Sequence, residues 1–237
     1  MDITSSLAIV SLAALTHASF QLSVSVLTLL SGHAIGAKRS HAKLIRLTTS
    51  FLIGAGVMTL LMLCSIALLL VNLFGINAPQ VVWAAACGLL IGVAISIWLF
   101  YYRREKGTAL WVPDSITDYL NRRTKSTKLS AEAFSLGLTS VIGEILLIIA
   151  PMFVAALVLV QLPPVWQLSG IAIYTLVSLL PLIMVWVLVG SGHSLGMIQN
   201  WRESNKYFLQ FAAGAGLIIL AFFVYVTEIM SSVIGFK

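Results

Sequence analysis

Six apolar runs, each long enough to cross a bilayer, leave this chain little choice of fold. They lie near residues 7–30, 47–74, 81–102, 133–160, 168–190 and 208–230. A spanning helix needs about 20 apolar residues. Backbone groups in lipid must bond within their own segment, which favours helices over open strands. The expected fold class is therefore an all-α polytopic membrane protein with six transmembrane helices in one membrane domain, 1–237. Composition agrees. Hydrophobic residues make up 59% of the 237 and charged ones 9%, against about 25% charged in soluble domains. The mean hydropathy is +1.02.

The net charge of +6 points to membrane topology and not to nucleic acid. Thirteen of the fourteen Lys and Arg residues fall in the first, third and fifth connections. These are Lys38, Arg39, Lys43 and Arg46, then Arg103, Arg104, Lys106, Arg122, Arg123, Lys125 and Lys128, then Arg202 and Lys206. Connections 75–80 and 161–167 carry no charge. Basic loops mark the cytoplasmic side, so both termini are expected outside the cytoplasm, in a multi-pass protein of the inner (plasma) membrane. The first six residues contain no Lys or Arg, so the first run reads as a retained helix and not a cleavable signal.

Two half-chains resemble each other. Leu15-Thr16-His17-Ala18-Ser19-Phe20-Gln21 overlays Leu138-Thr139-Ser140-Val141-Ile142-Gly143-Glu144 at an offset of 123 residues. His17 then pairs with Ser140, and Gln21 with Glu144. A 3+3 inverted repeat is expected, with one half at about 7–102, a cytoplasmic linker at about 103–132, and the second half at about 133–235. Many secondary transporters are built this way, with polar pairs near mid-membrane.

Glu144 is the costliest side chain inside an apolar run and the first candidate for function. His17, Gln21, Ser25 and Thr28 share one helical face at spacings of four, four and three. Gly137, Ser140, Glu144 and Pro151 fall on or near one face of the fourth run. A Glu–His pair could take a proton, or a metal or other cation through His17 and Glu144. Interhelical hydrogen bonding explains the same residues without transport. Pro151 and Pro181 are expected kinks. Ser31-Gly32-His33-Ala34-Ile35-Gly36 and Ser191-Gly192-His193-Ser194-Leu195-Gly196 repeat a Ser-Gly-His pattern at cytoplasmic helix ends. They read as caps, or as gates through His33 and His193. Gly54 and Gly56, Gly88 and Gly92, and Gly214 and Gly216 read as helix-packing positions, and Gly88 and Gly92 have the spacing of a close helix contact.

Residues 111–123 are expected to hold a short interfacial helix. Trp111, Ile116, Tyr119 and Leu120 would lie on the headgroups, with Arg122 and Arg123 on phosphates. Walker, Gly-x-Ser-x-Gly, His-Glu-x-x-His and Cys-x-x-Cys motifs are absent, and no cofactor is implied. The expected partners are the bilayer, a small solute or ion, and a complex subunit or second copy.

The glycine pattern Phe134-Ser135-Leu136-Gly137-Leu138…Gly143-Glu144, the loop Ser31-Gly32-His33…Lys38-Arg39 leading to Gly54 and Gly56, and Gly88…Gly92 ending at Tyr101-Tyr102-Arg103-Arg104 resemble the lysine-exporter (LysE) and CcdA/DsbD-type superfamily. That resemblance implies six helices in a 3+3 inverted repeat. The exporters' Pro-Gly-Pro signature is missing. The electron carriers' cysteines in helices 1 and 4 are also missing, since Cys64 and Cys87 fall in the second and third runs. The expected function is secondary transport, more specifically export of a small solute or cation through Glu144, His17, Gln21 and Ser140. The alternatives are a thiol–disulfide carrier using Cys64 and Cys87, a subunit anchoring a membrane complex, and a membrane enzyme using His and Glu with a metal.

Overall fold

The computed structural model describes residues 2–20, 22–36, 41–100, 114–191, 200–201 and 204–230. Every regular element among them is a helix. In chain order these are α1 (Ile3–Ala18), α2 (Leu22–Gly36), α3 (His41–Phe74), α4 (Gln80–Phe100), α5 (Asp114–Ser126), α6 (Ser130–Gly143), α7 (Ile145–Gln161), α8 (Pro164–Ser178), α9 (Leu180–Gly190) and α10 (Lys206–Val224). A π-helical turn, Tyr225–Met230, continues α10.

Three helices are long and apolar enough to cross a membrane unaided: α3, α4 and the α10 segment Lys206–Met230. Two bent pairs, α6–α7 and α8–α9, bring the number of candidate spans to five. The apolar α1 is 16 residues long, about 24 Å at 1.5 Å per residue and short of the ~30 Å hydrocarbon core. By contrast α3 has 34 residues, about 51 Å. It starts at His41, so Lys43 and Arg46 are helical and not in a loop.

The outer surface is apolar. Leu68, Leu69, Leu99, Leu146, Leu168 and Phe222 are each more than half exposed. Such a surface suits lipid and would be a liability in water. Inside, α3 packs on α6, α1 packs on α7 and α8, and α4 packs on α10.

Glycine sets the α3–α6 approach. A Cβ on Gly54 would collide with the Phe134 carbonyl, and one on Gly137 with the Phe51 carbonyl. The two backbones therefore touch. Gly54 is among the glycines expected to pack, whereas the pair with close-contact spacing, Gly88 and Gly92, is not in such a contact. Both face outward with nothing within 4 Å of an added Cβ, so spacing alone did not identify the packing glycines.

The fourth run is not one helix. It breaks at Glu144 with an 80° bend between α6 and α7. Pro151, expected to kink it, lies within an uninterrupted α7. The fifth run breaks by 52° at Leu179, and Pro181 sits in the first turn of α9. The first run ends α1 at Ala18 and resumes as α2 at Leu22. Helix α5 starts at Asp114 and packs on α2 and α6. Leu120 is buried there and does not lie on headgroups, while Tyr119 is exposed. The side chains of Trp111 and Ile116 lie outside the described residues.

Candidate functional site

The three interrupted runs meet at one small cavity. The end of α1 contributes His17, the gap before α2 contributes Phe20, and α2 contributes Val24. Val141 and Glu144 come from the α6–α7 break, and Ser178, Leu179, Pro181 and Leu182 from the α8–α9 break. Thr59 of the unbroken α3 closes the site. The cavity is about 20 Å³, room for roughly one water-sized species.

A helix break makes chemistry available. Each helix end leaves up to four amide groups outside the intrahelical ladder. Such irregular backbone is tolerated at membrane depth only where protein or a cavity satisfies it. Here α2, α7 and α9 begin beside the cavity and α1, α6 and α8 end beside it. Glu144 is both the last cap of α6 and the first of α7, with φ −89° and ψ −3°. Its amide donates to the Val141 carbonyl, and its own carbonyl accepts from Leu147 and Ile148. Leu179 has nearly the same backbone, φ −86° and ψ −4°. Neither position needs a glycine.

Glu144 is 3% exposed and His17 is 5% exposed. His17 Nδ1 lies 3.0 Å from the Tyr174 hydroxyl of α8, and the two rings are tilted at 5.7 Å between centroids. Ser140 is buried, but its hydroxyl donates to the Gly137 carbonyl of its own helix at 2.8 Å. It is the neighbouring Val141 that lines the cavity. Thr28 and Ser31 likewise donate to their own helix. Gln21 and His193 lie outside the described residues, as does the side chain of His33.

Among the described residues no three of His, Cys, Asp or Glu cluster as a metal site. Both cysteines are free thiols. Cys87 is buried with its Sγ 3.7 Å from the Ala221 carbonyl of α10, whereas Cys64 sits half-buried on α3. A larger cavity of about 230 Å³ lies between α5 and α6, lined by Tyr119, Arg123 and Glu132 among others. The Tyr119 hydroxyl accepts from Arg123 and raises its already high pKa. Arg123 is therefore a fixed positive charge.

Sequence reasoning passed over Tyr174 and Thr59. Neither is ionised at neutral pH, so neither stood out in an apolar run. Their signal was a lone hydroxyl that needs a partner when buried. Comparison with protein-family models, curated proteins and solved structures finds no match for this chain.

Proposed function

We propose that the protein is a secondary transporter of the inner membrane, exporting a small solute or cation, with Glu144 as its proton- or cation-binding group. The convergence of three interrupted helices on one cavity containing a buried carboxylate carries this reading. Discontinuous helices meeting at a central site are a recurrent transporter design. A carboxylate there costs several kcal/mol unless a proton, cation or charged partner meets it. His17 shares the cavity. The space suits a small ion, so passage of a larger solute requires the helix ends to part.

The reading includes a 3+3 inverted repeat. The offset of 123 that pairs Gln21 with Glu144 also carries Leu22, the start of α2, onto Ile145, the start of α7. It carries His41, the start of α3, onto Pro164, the start of α8. The same exchange swaps the α1–α8 and α3–α6 contacts and maps α4–α10 onto itself, and all three pairs are packed. Gly56 and Leu179 are counterparts at that offset, and a Cβ on Gly56 would lie 3.1 Å from Leu179. Contacts between counterparts are what a two-fold axis produces. Both termini lie outside the cytoplasm in this arrangement. External labelling of single cysteines should modify position 77 and spare position 107.

The test is proton flux in proteoliposomes across a panel of amino acids and divalent cations. Substrate-dependent flux should appear in the native protein and vanish in Glu144→Gln, which keeps the shape and removes the charge. Equal flux in both proteins rejects the role of Glu144. No flux with any candidate favours the anchoring subunit, whose basic third connection would meet the partner.

A further inference from the structure

His17 and Tyr174 form a buried pair whose surroundings decide where the protons sit. Tyr174 is fully buried and His17 is nearly so. Two assignments satisfy their 3.0 Å contact. Either the Tyr174 hydroxyl donates to Nδ1 and the ring proton sits on Nε2, or Nδ1–H donates and the phenolic proton needs another acceptor. Tyr174 makes no second hydrogen bond and does not line the cavity. Its proton would be stranded, and a buried donor without an acceptor is heavily penalised. His17 does line the cavity, and its Nε2 has no hydrogen-bond partner among the described residues. The first assignment therefore leaves the remaining donor where a guest can meet it.

A second observation points to the same guest. Thr59 is 1% exposed and lines the cavity. Unlike Thr16, Thr28 and Thr48, its hydroxyl does not return to its own helix. Two buried polar groups without hydrogen-bond partners among the described residues, and a carboxylate, thus surround a space of about one water. An ordered buried water takes two to four polar partners, and here His17, Thr59 and Glu144 supply three.

We propose that this cavity holds a water molecule that accepts the His17 Nε2–H and donates to Glu144, with Tyr174 as the residue that positions His17. This rests on the reading of Glu144 as the ion site and names the ion: a proton carried on water. A proton arriving as hydronium passes to a Glu144 oxygen, leaving water and a neutral acid. Departure reverses the step. His17 keeps its proton throughout and acts as donor. Its only free nitrogen bears hydrogen, so it offers a metal ion no lone pair.

The experiment is solid-state NMR of the full chain, labelled with ¹⁵N-histidine and reconstituted in lipid bilayers. The His17 signals are identified by their loss in His17→Gln. The expected spectrum shows a neutral ring protonated at Nε2, with polarisation transfer from water to that site. Zinc or nickel added to the sample should leave it unshifted. Tyr174→Phe removes the donor to Nδ1 and should redistribute His17 between both tautomers. Protonation at Nδ1 in the native protein, absence of water transfer, a metal-induced shift at Nε2, or an unchanged tautomer in Tyr174→Phe would each overturn the proposal. The native-protein readings stand even if Tyr174→Phe does not fold. They are independent of flux, so a failure of Glu144 as transport group is told apart from a failure of the water site.

Discussion

The breaks at Glu144 and Leu179 share almost the same backbone angles and have different causes. At Leu179 the chemistry is written in the sequence. Pro181 opens α9 in a first-turn position, where its missing N–H has no partner to lose. At Glu144 there is no such proline. Pro151 lies seven residues on, inside the continuous helix α7, while the bend at Glu144 is the sharper of the two, 80° against 52°. Gly143 weakens the helix locally. The α6 arm is held backbone to backbone against α3 through Gly137. The α7 arm packs on α1. Tertiary packing bends the chain at the carboxylate, and proline chemistry bends it at Leu179.

The largest expected effect comes from changing the residue at the sharper break. Glu144→Leu removes the group that must be satisfied in the cavity and replaces it with a good helix former. Because packing holds the two arms, spin labels on the outer surfaces of α6 and α7 should report a bend close to the native one, while coupled flux should be lost. A clearly shallower bend in Glu144→Leu would mean that the carboxylate, and not packing, makes the break.

That asymmetry also fixes how much was legible beforehand. The apolar runs, the helical class and the early part of the third connection's helix followed from hydropathy, from Asp114 beside a proline, and from the cost of charge in lipid. Glu144 and His17 were singled out by that same cost, and both line the cavity. The break at Glu144 was not legible, because periodicity continues through it and the cause lies in contacts with α1 and α3. Tyr174 was missed because its role depends on a partner 157 residues away. The packing glycines were only partly legible, for a related reason. Gly88 and Gly92 have the better spacing, whereas Gly54 and Gly137 have the neighbours.

The second effect compares the two arms. A Cβ on Gly137 meets the Phe51 carbonyl oxygen and, at 2.9 Å, the Ala55 amide nitrogen. Backbone cannot step aside. Gly137→Ala should destabilise by about 1–3 kcal/mol, read as a lower melting temperature in detergent. On the α8 arm a Cβ at Gly170 meets the end of the Leu159 side chain, which can rotate away. Gly170→Ala should cost less than about 1 kcal/mol. Equal losses would show that both arms are equally rigid.

The prolines give the third contrast. Pro181→Ala loosens a preorganised helix start, at about 0.4–1 kcal/mol, and should broaden the spin-label distance across the α8–α9 bend. Pro151→Ala supplies an amide that can bond to the Leu147 carbonyl and should stabilise α7 or leave it unchanged. A loss of flux in Pro151→Ala with the fold intact would give that proline a mechanical role in transport.

The smallest effect is expected at the thiols, and its smallness discriminates between functions. A thiol–disulfide carrier needs two cysteines that meet each other and their substrate. Cys87 is on α4 with its sulfur toward the Ala221 carbonyl of α10, at 3.7 Å a weak contact. Cys64 is on α3, which packs on α6 and α7. Neither residue lines the cavity where the breaks converge. The double substitution Cys64→Ala with Cys87→Ala removes one buried sulfur, a change well tolerated in a small-residue interface such as that of α4 and α10. It should leave the melting temperature within about 2 °C of native, the scale of half a kcal/mol in a chain of this size, and leave flux unchanged. Loss of activity at unchanged protein level would move the chemistry away from Glu144 and onto the thiols, and the contrast between the two breaks would then describe packing without function.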